Sequence, residues 1–230
     1  MYLSENPNEE LIAYVNIYLR EEIQAEALVR KIQSFSKFLQ TASLTSGKIL
    51  NFNSVSNDTA IPASTIREFY HILEDTLVGF MLPAWTKTTK RKALSTAKFY
   101  FFDIGVKNQL SEFKNIAPNS DLFGINFEHF IGLELRAYIS YYRKHLNLSY
   151  WCSVQGYEVD FIIGDEIAIE VKSSKSITSK HLKGLEILKE EKICKQYFLV
   201  SFDKIHRNVN GIQVIHWHVF LESLWNGEYF

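Results

Sequence analysis

Residues 157–174, YEVDFIIGDEIAIEVKSS, carry two apolar runs on either side of a Gly-Asp-Glu turn. The spacing predicts strands over Glu158–Ile163 and Ile167–Ser173, joined by Gly164-Asp165-Glu166. Successive strand side chains point to opposite faces, so Asp160 shares a face with Ile162, and Glu170 shares one with Ala168 and Lys172. Folding the hairpin brings Asp160 and Glu170 side by side, with Lys172 one step further along. Two carboxylates and an ammonium at the end of an apolar hairpin are costly to bury without compensation.

A divalent metal supplies that compensation. Carboxylate oxygens suit Mg²⁺, which keeps several waters and often takes only one or two protein carboxylates. Lys172 would then orient water or meet charge developing on a phosphate. This Asp-(x)n-Glu-x-Lys pattern resembles the PD-(D/E)XK nuclease superfamily, in which those residues form the metal site. The proline that often precedes the aspartate is replaced by Val159. The plainer reading is a surface ion pair of Glu170 and Lys172 on a half-buried strand.

The chain has 230 residues, room for one large domain or two small ones. It is 47% hydrophobic and 14% aromatic, enough for genuine cores. Net charge is -1, so no global basic field draws it to nucleic acid and any such contact must be local. Two cysteines, Cys152 and Cys194, lack CxxC or metal-finger spacing, and a reduced cytoplasmic protein is expected. The opening MYLSENPNEE has no signal-peptide pattern, and no apolar run is long enough to span a membrane.

Residues Asn8 to Leu44 are predicted helical, with Leu11, Val15, Tyr18, Leu19, Ile23, Ala27 and Leu28 as an apolar stripe and Asn8 as N-cap. A short segment, Leu50–Val55, precedes a helix that the capping box Thr65-Ile66-Arg67-Glu68 opens and Ile66, Phe69, Leu73 and Leu77 line. Leu77–Trp85 and Lys98–Asp103 read as strands around a polar tip, Thr86–Thr96. Helices followed by a β-hairpin is the winged-helix order. The tip carries Lys87, Lys90, Arg91 and Lys92, candidates for phosphate contact or simply a solvated loop. The would-be recognition helix carries Glu68, Glu74 and Asp75, which would repel DNA, so protein docking is the first expectation for this module.

Ser111–Asp121 is the linker candidate, broken by Pro118. A helix over Leu122–His145 follows, holding Glu128 and Glu134. Then come a strand over Leu148–Ser153, the central hairpin, a lysine-rich helix over Thr178–Glu191, strands Tyr197–Ser201 and Val214–Trp217, and a closing helix Val219–Trp225. Helix, three strands, helix, strand is the core order of the restriction-endonuclease-like fold. Lys175, Lys180 and Lys183 read as a solvated face, and His216 and His218 as packing residues without further ligands.

YLREEIQAEALVR (18–30), TIREFYHILEDTLVGFMLPAW (65–85), KFYFFDIGVKNQL (98–110), GINFEHFIGLEL (124–135) and the hairpin together resemble one family. They are similar to the C-terminal half of prokaryotic AAA-type ATPases, a domain of unknown function read as a winged helix followed by a PD-(D/E)XK nuclease-like domain. The resemblance implies an α/β chain, α+β overall, with a helical leader over 1–24, a winged-helix domain over 25–110, a linker over 111–121 and a nuclease-like α/β domain over 122–230. It also implies that Glu128, in Gly124-x-x-x-Glu128 and a better match than Glu134, joins Asp160 and Glu170 around Mg²⁺; the plainer reading of either is an ordinary solvent-facing helix glutamate. No G-x-x-x-x-G-K-[ST] occurs, so no ATP site is expected here, and a truncated or split gene or an isolated fragment is expected. Two functions follow: a Mg²⁺-dependent DNA nuclease-like domain, or a catalytically silent module that binds an ATPase partner, a second copy or nucleic acid.

Overall fold

Aromatic side chains at helical spacing account for the first of two units, Met1–Met81 with Lys98–Ile116. The structure is a computed structural model that describes residues 6–18, 32–113 and 115–230. Within the unit, α1 (Pro7–Ala13) runs into a π-helical turn, Tyr14–Tyr18. Then follow α2 (Ile32–Leu44), α3 (Phe52–Thr59), α4 (Ala63–Asp75), β1 (Gly79–Leu82), β2 (Lys98–Phe101) and α5 (Ile104–Leu110). The expected stripe through Leu19, Ile23, Ala27 and Leu28 lies outside the described residues.

Phe38 is fully buried at the centre of an aromatic cluster. Its ring meets Tyr70 edge-on at 4.9 Å, and Phe35 meets Phe69 edge-on at 5.1 Å, arrangements that suit the ring quadrupoles. The Asn51 side chain caps α3 by accepting the Ser54 N–H at 3.0 Å, and Asp103 caps α5 through the Val106 N–H at 2.8 Å. Gly79 is required by close approach, since a Cβ there would stand 2.2 Å from Phe99 Cζ and 2.6 Å from the Tyr100 carbonyl oxygen.

Three local expectations change. Pro62 occupies the N-cap of α4, so Thr65 falls inside the first turn and caps nothing. α1 starts at Pro7 with Asn6 as its N-cap, because proline suits the first helical position. Leu77 is not on the apolar face of α4: the helix ends at Asp75, and Leu77 turns out with φ 58° and 73% exposure.

The second unit comprises Leu82–Ala97 and Ala117–Phe230. It contains α6 (Asp121–Tyr141), β3 (Leu148–Cys152), β4 (Glu158–Ile163), β5 (Ile167–Lys172), α7 (Ser179–Lys189), β6 (Gln196–Ser201), β7 (Arg207–Val209), β8 (Ile212–His216) and α8 (Trp217–Trp225). The sheet runs β3-β4-β5-β6-β8-β7. β3, β4 and β5 form an antiparallel meander, β5–β6 and β6–β8 are parallel, and β7 returns antiparallel to β8. The short β7 carries no apolar run, so no local pattern marks it as a strand. Ser120 caps α6 at the Phe123 N–H, 3.2 Å. That helix stops at Tyr141 rather than His145, where Arg143 takes φ 47°.

β4 and β5 are buried almost end to end, as strands covered on both faces must be. Leu182, Leu185 and Leu188 of α7 join Ile162, Ala168, Leu199 and Val214 in one core on one face. α6 lies on the other face, where a Cβ on Gly132 would meet the Phe161 ring at 2.8 Å. The chain is therefore an α/β protein, α+β overall, with a helical N-terminal region followed by a sheet domain. The division at Ile116–Ala117 falls inside the expected linker. Residues 82–97, assigned from sequence to the first domain, belong to the second unit. Among the described residues no helix is long and apolar enough to cross a membrane.

Replacing Phe38 with alanine empties the centre of the aromatic cluster. Stability is expected to fall by about 3–5 kcal/mol, measured as a lower urea midpoint with an unchanged slope.

Candidate functional site

The pairing Phe161–Ile169, Ile162–Ala168 and Ile163–Ile167 sets the hairpin register. One step further along that register, Asp160 stands opposite Glu170. The Asp160 carboxylate accepts the Val171 backbone N–H at 2.8 Å. Lys172 Nζ lies 2.5 Å from Glu170 Oε1. Asp160 and Glu170 are 5% and 6% exposed, whereas the Lys172 side chain is about one-third open. The three residues that parity placed on one face do converge.

Glu170 Oε2 accepts no hydrogen bond among the described residues. α7 passes directly over it because Gly184 has no side chain. A Cβ there would stand 2.0 Å from the Glu158 carbonyl oxygen and 3.6 Å from Oε2. On the other side, α6 brings its first turns to the end of β5, with a Cβ on Gly124 3.2 Å from Ser173 Oγ. Glu128, one helical turn after Gly124, shares that side of α6.

Burial pushes the Glu170 carboxyl well above the usual range, and the neighbouring Asp160 adds to the shift while Lys172 opposes it. Glu128 acts in the same direction as Asp160. Burial pulls Lys172 down, but Asp160, Glu170 and Glu128 outweigh it and hold the ammonium above the ordinary lysine range. Three carboxylates therefore act on the Lys172 ammonium. A hard divalent cation fits the buried pair Asp160 and Glu170 with its orphaned Oε2. Among the described residues, no three His, Cys, Asp or Glu side chains stand close enough to hold an ion together. The donor set that fits is thus the pair Asp160 and Glu170, with Glu128 acting as a charge.

Glu134 stands elsewhere: its Oε2 accepts the Trp225 indole N–H at 2.8 Å. His216 caps α8, its Nδ1 accepting the His218 N–H at 3.4 Å, so this pair serves the strand-to-helix turn.

The basic tip has a different environment from the exposed wing expected. Residues 82–97 lie along the outer edge of β3. The Trp85 N–H donates to the Tyr150 carbonyl at 2.6 Å, the Tyr150 N–H to Pro83 at 3.0 Å, and the Leu94 N–H to Cys152 at 2.8 Å. Lys87 pairs with Asp165 at 2.7 Å and Arg91 with Glu190 at 2.6 Å. Those two cations meet carboxylates of their own unit, and Lys87, Lys90 and Lys92 are all exposed. Glu191, fully buried in its side chain, accepts the Thr89 N–H at 2.8 Å, the Lys90 N–H at 3.0 Å and the Thr89 hydroxyl at 3.3 Å. No sequence motif announces this anchor, because its donors are mostly backbone.

Burial raises the Glu191 carboxyl, but the N–H groups of Lys90 and Thr89, the Thr89 hydroxyl and Arg91 outweigh it and hold it below the usual value of 4.5. A depressed carboxyl contributes stability that is present above the unfolded value and lost as pH falls through the folded one. Glu191→Ala is expected to cost about 2–3 kcal/mol at neutral pH. That deficit should close on acidification below pH 4.5, as measured by denaturation of both proteins across pH.

Residues 2–117 match the domain of unknown function DUF8612, and residues 123–220 match the domain of unknown function DUF4143. No curated protein and no solved structure matches the chain. The first match runs without a break through the expected leader and helical domain, and the second begins at the start of α6 and includes the whole carboxylate–lysine cluster. With half of its length in the first match, this chain belongs to the DUF8612 family and carries a DUF4143 domain after it.

Proposed function

We propose that the second unit is a Mg²⁺-dependent phosphodiesterase of the PD-(D/E)XK type acting on DNA, in an assembly with an AAA-type ATPase in the cytoplasm. One observation carries the reading: Asp160 and Glu170 are buried together beside Lys172, and among the described residues Glu170 Oε2 accepts no hydrogen bond. A buried, uncompensated carboxylate is expensive and is retained where chemistry uses it. The DUF4143 match supports association with AAA-type ATPases, and the sequence has no P-loop with which to bind ATP itself.

In this reading Asp160 and Glu170 hold the ion, and Glu128 adds negative charge beside them. Bound Mg²⁺ lowers the pKa of a coordinated water and polarises a phosphoryl oxygen. Lys172, about one-third open to solvent, leaves Glu170 Oε1 and places its ammonium against the phosphate. Lys90 and Lys92 supply exposed positive charge for the nucleic-acid backbone, while Lys87 and Arg91 hold the tip in place. The alternative is a catalytically silent module that docks an ATPase or a second copy. Its support is the 2.5 Å Lys172–Glu170 pair, which already satisfies half of the carboxylate.

Calorimetric titration with Mn²⁺ or Mg²⁺ separates the two. Wild type should bind one ion and Asp160→Ala none, with cleavage of DNA lost in the same variant. Absence of binding in folded wild type, with DNA present, selects the silent module.

Stability gives an independent reading. A carboxyl whose folded pKa is raised destabilises the fold once pH exceeds its unfolded value. Glu170→Gln removes that penalty, so the variant should melt higher than wild type at neutral pH while losing the ion. The difference should narrow as pH falls towards 4.5.

A further inference from the structure

His181 lies in the first turn of α7, a lone histidine in a lysine-rich helix that belongs to no sequence motif. The Thr178 backbone N–H donates to His181 Nδ1 at 3.2 Å, as part of a capping box. That bond occupies the Nδ1 lone pair, so the neutral ring carries its proton on Nε2. His181 is three residues before Gly184, on the same side of the helix. Gly184 is the residue that lies over Glu170 Oε2. Helical side chains lean towards the N-terminus, so the His181 ring extends from above Glu170 towards the end of β5, where Lys172 stands. Burial and then the Lys172 charge depress the imidazole, which agrees with a ring that stays neutral beside the ammonium.

A neutral imidazole with a fixed Nε2–H is a donor. It is not set up as a metal ligand, since ligation through Nε2 would move the proton to Nδ1, against the Thr178 N–H. A half-buried N–H donor on the helix turn that precedes Gly184 suits an anionic oxygen, such as the non-bridging oxygen of a phosphodiester.

We infer that His181 contacts the substrate, donating from Nε2 to a non-bridging oxygen of the phosphodiester that Lys172 also meets. This rests on the phosphodiesterase reading and names a contact that the acidic residues do not supply.

The full chain, labelled with ¹⁵N at histidine, is titrated with a short single-stranded thymidine oligonucleotide in Ca²⁺, and the ring nitrogens are followed by NMR. The free protein should show His181 as the Nε2–H form, and the oligonucleotide should shift that nitrogen. His181→Asn keeps an acceptor for the Thr178 N–H and deletes the donor; it should weaken oligonucleotide binding about tenfold with Mn²⁺ affinity unchanged. His181→Gln, which restores an N–H at the Nε2 position, should recover most of the loss. Equal oligonucleotide affinity in wild type and His181→Asn overturns the inference, whether or not cleavage is present. A shift at His181 without any cleavage retains the contact and removes the nuclease reading. An oligonucleotide that does not bind wild type overturns both.

Discussion

The burial of two carboxylates beside one ammonium at the end of the central hairpin is the constraint on which the second unit depends. Water cannot solvate Glu170 there, and Lys172 meets only one of its oxygens. The surrounding elements are arranged to keep that pair enclosed. Gly184 lets α7 lie against the Glu158 backbone, and Gly124 lets α6 approach Ser173. A larger residue at Gly184 would push the helix off the strand and open the cluster to solvent. The hydrophobic core of Leu182, Leu185, Ile162 and Ala168 holds the helix down against the electrostatic cost.

A second group of charges works in the opposite sense. Glu191 is buried, its Oε2 takes three donors while its Oε1 accepts no hydrogen bond among the described residues, and its carboxyl is held low rather than high. Asp203 is similar: burial is outweighed by the Ile205 N–H, the Arg207 guanidinium and the Ile177 N–H, the first of which lowers its carboxyl most. These two acids anchor loops. The contrast with Glu170 is one of direction: hydrogen-bond donors and arginines hold Glu191 and Asp203 low, whereas burial beside other carboxylates holds Glu170 high.

Much of the architecture was legible because it depends on local periodicity. Alternation along 158–172 predicts both strands, and parity alone puts Asp160, Glu170 and Lys172 together. The apolar spacing of α7 and α6 is equally local. The expectations that failed concern ends and partners. Pro62 displaced the capping box of α4, Arg143 ended α6 early, and β7 has too few apolar residues to announce itself. The tip Thr86–Thr96 keeps Lys87, Lys90 and Lys92 exposed, as expected, yet the backbone of residues 82–97 pairs with β3.

The sequence by itself determined the two classes of unit, the hairpin and the identity of the charged trio, since each follows from side-chain period and residue type. Only the tertiary structure decided which cations were already paired and which carboxylate oxygens were left short of donors. It alone brought His181 into the neighbourhood of Lys172. Those outcomes depend on contacts between residues far apart in the chain, such as Lys87 with Asp165 and Gly184 with Glu158. No local pattern encodes them, because the energy of a buried charge is set by every group packed around it.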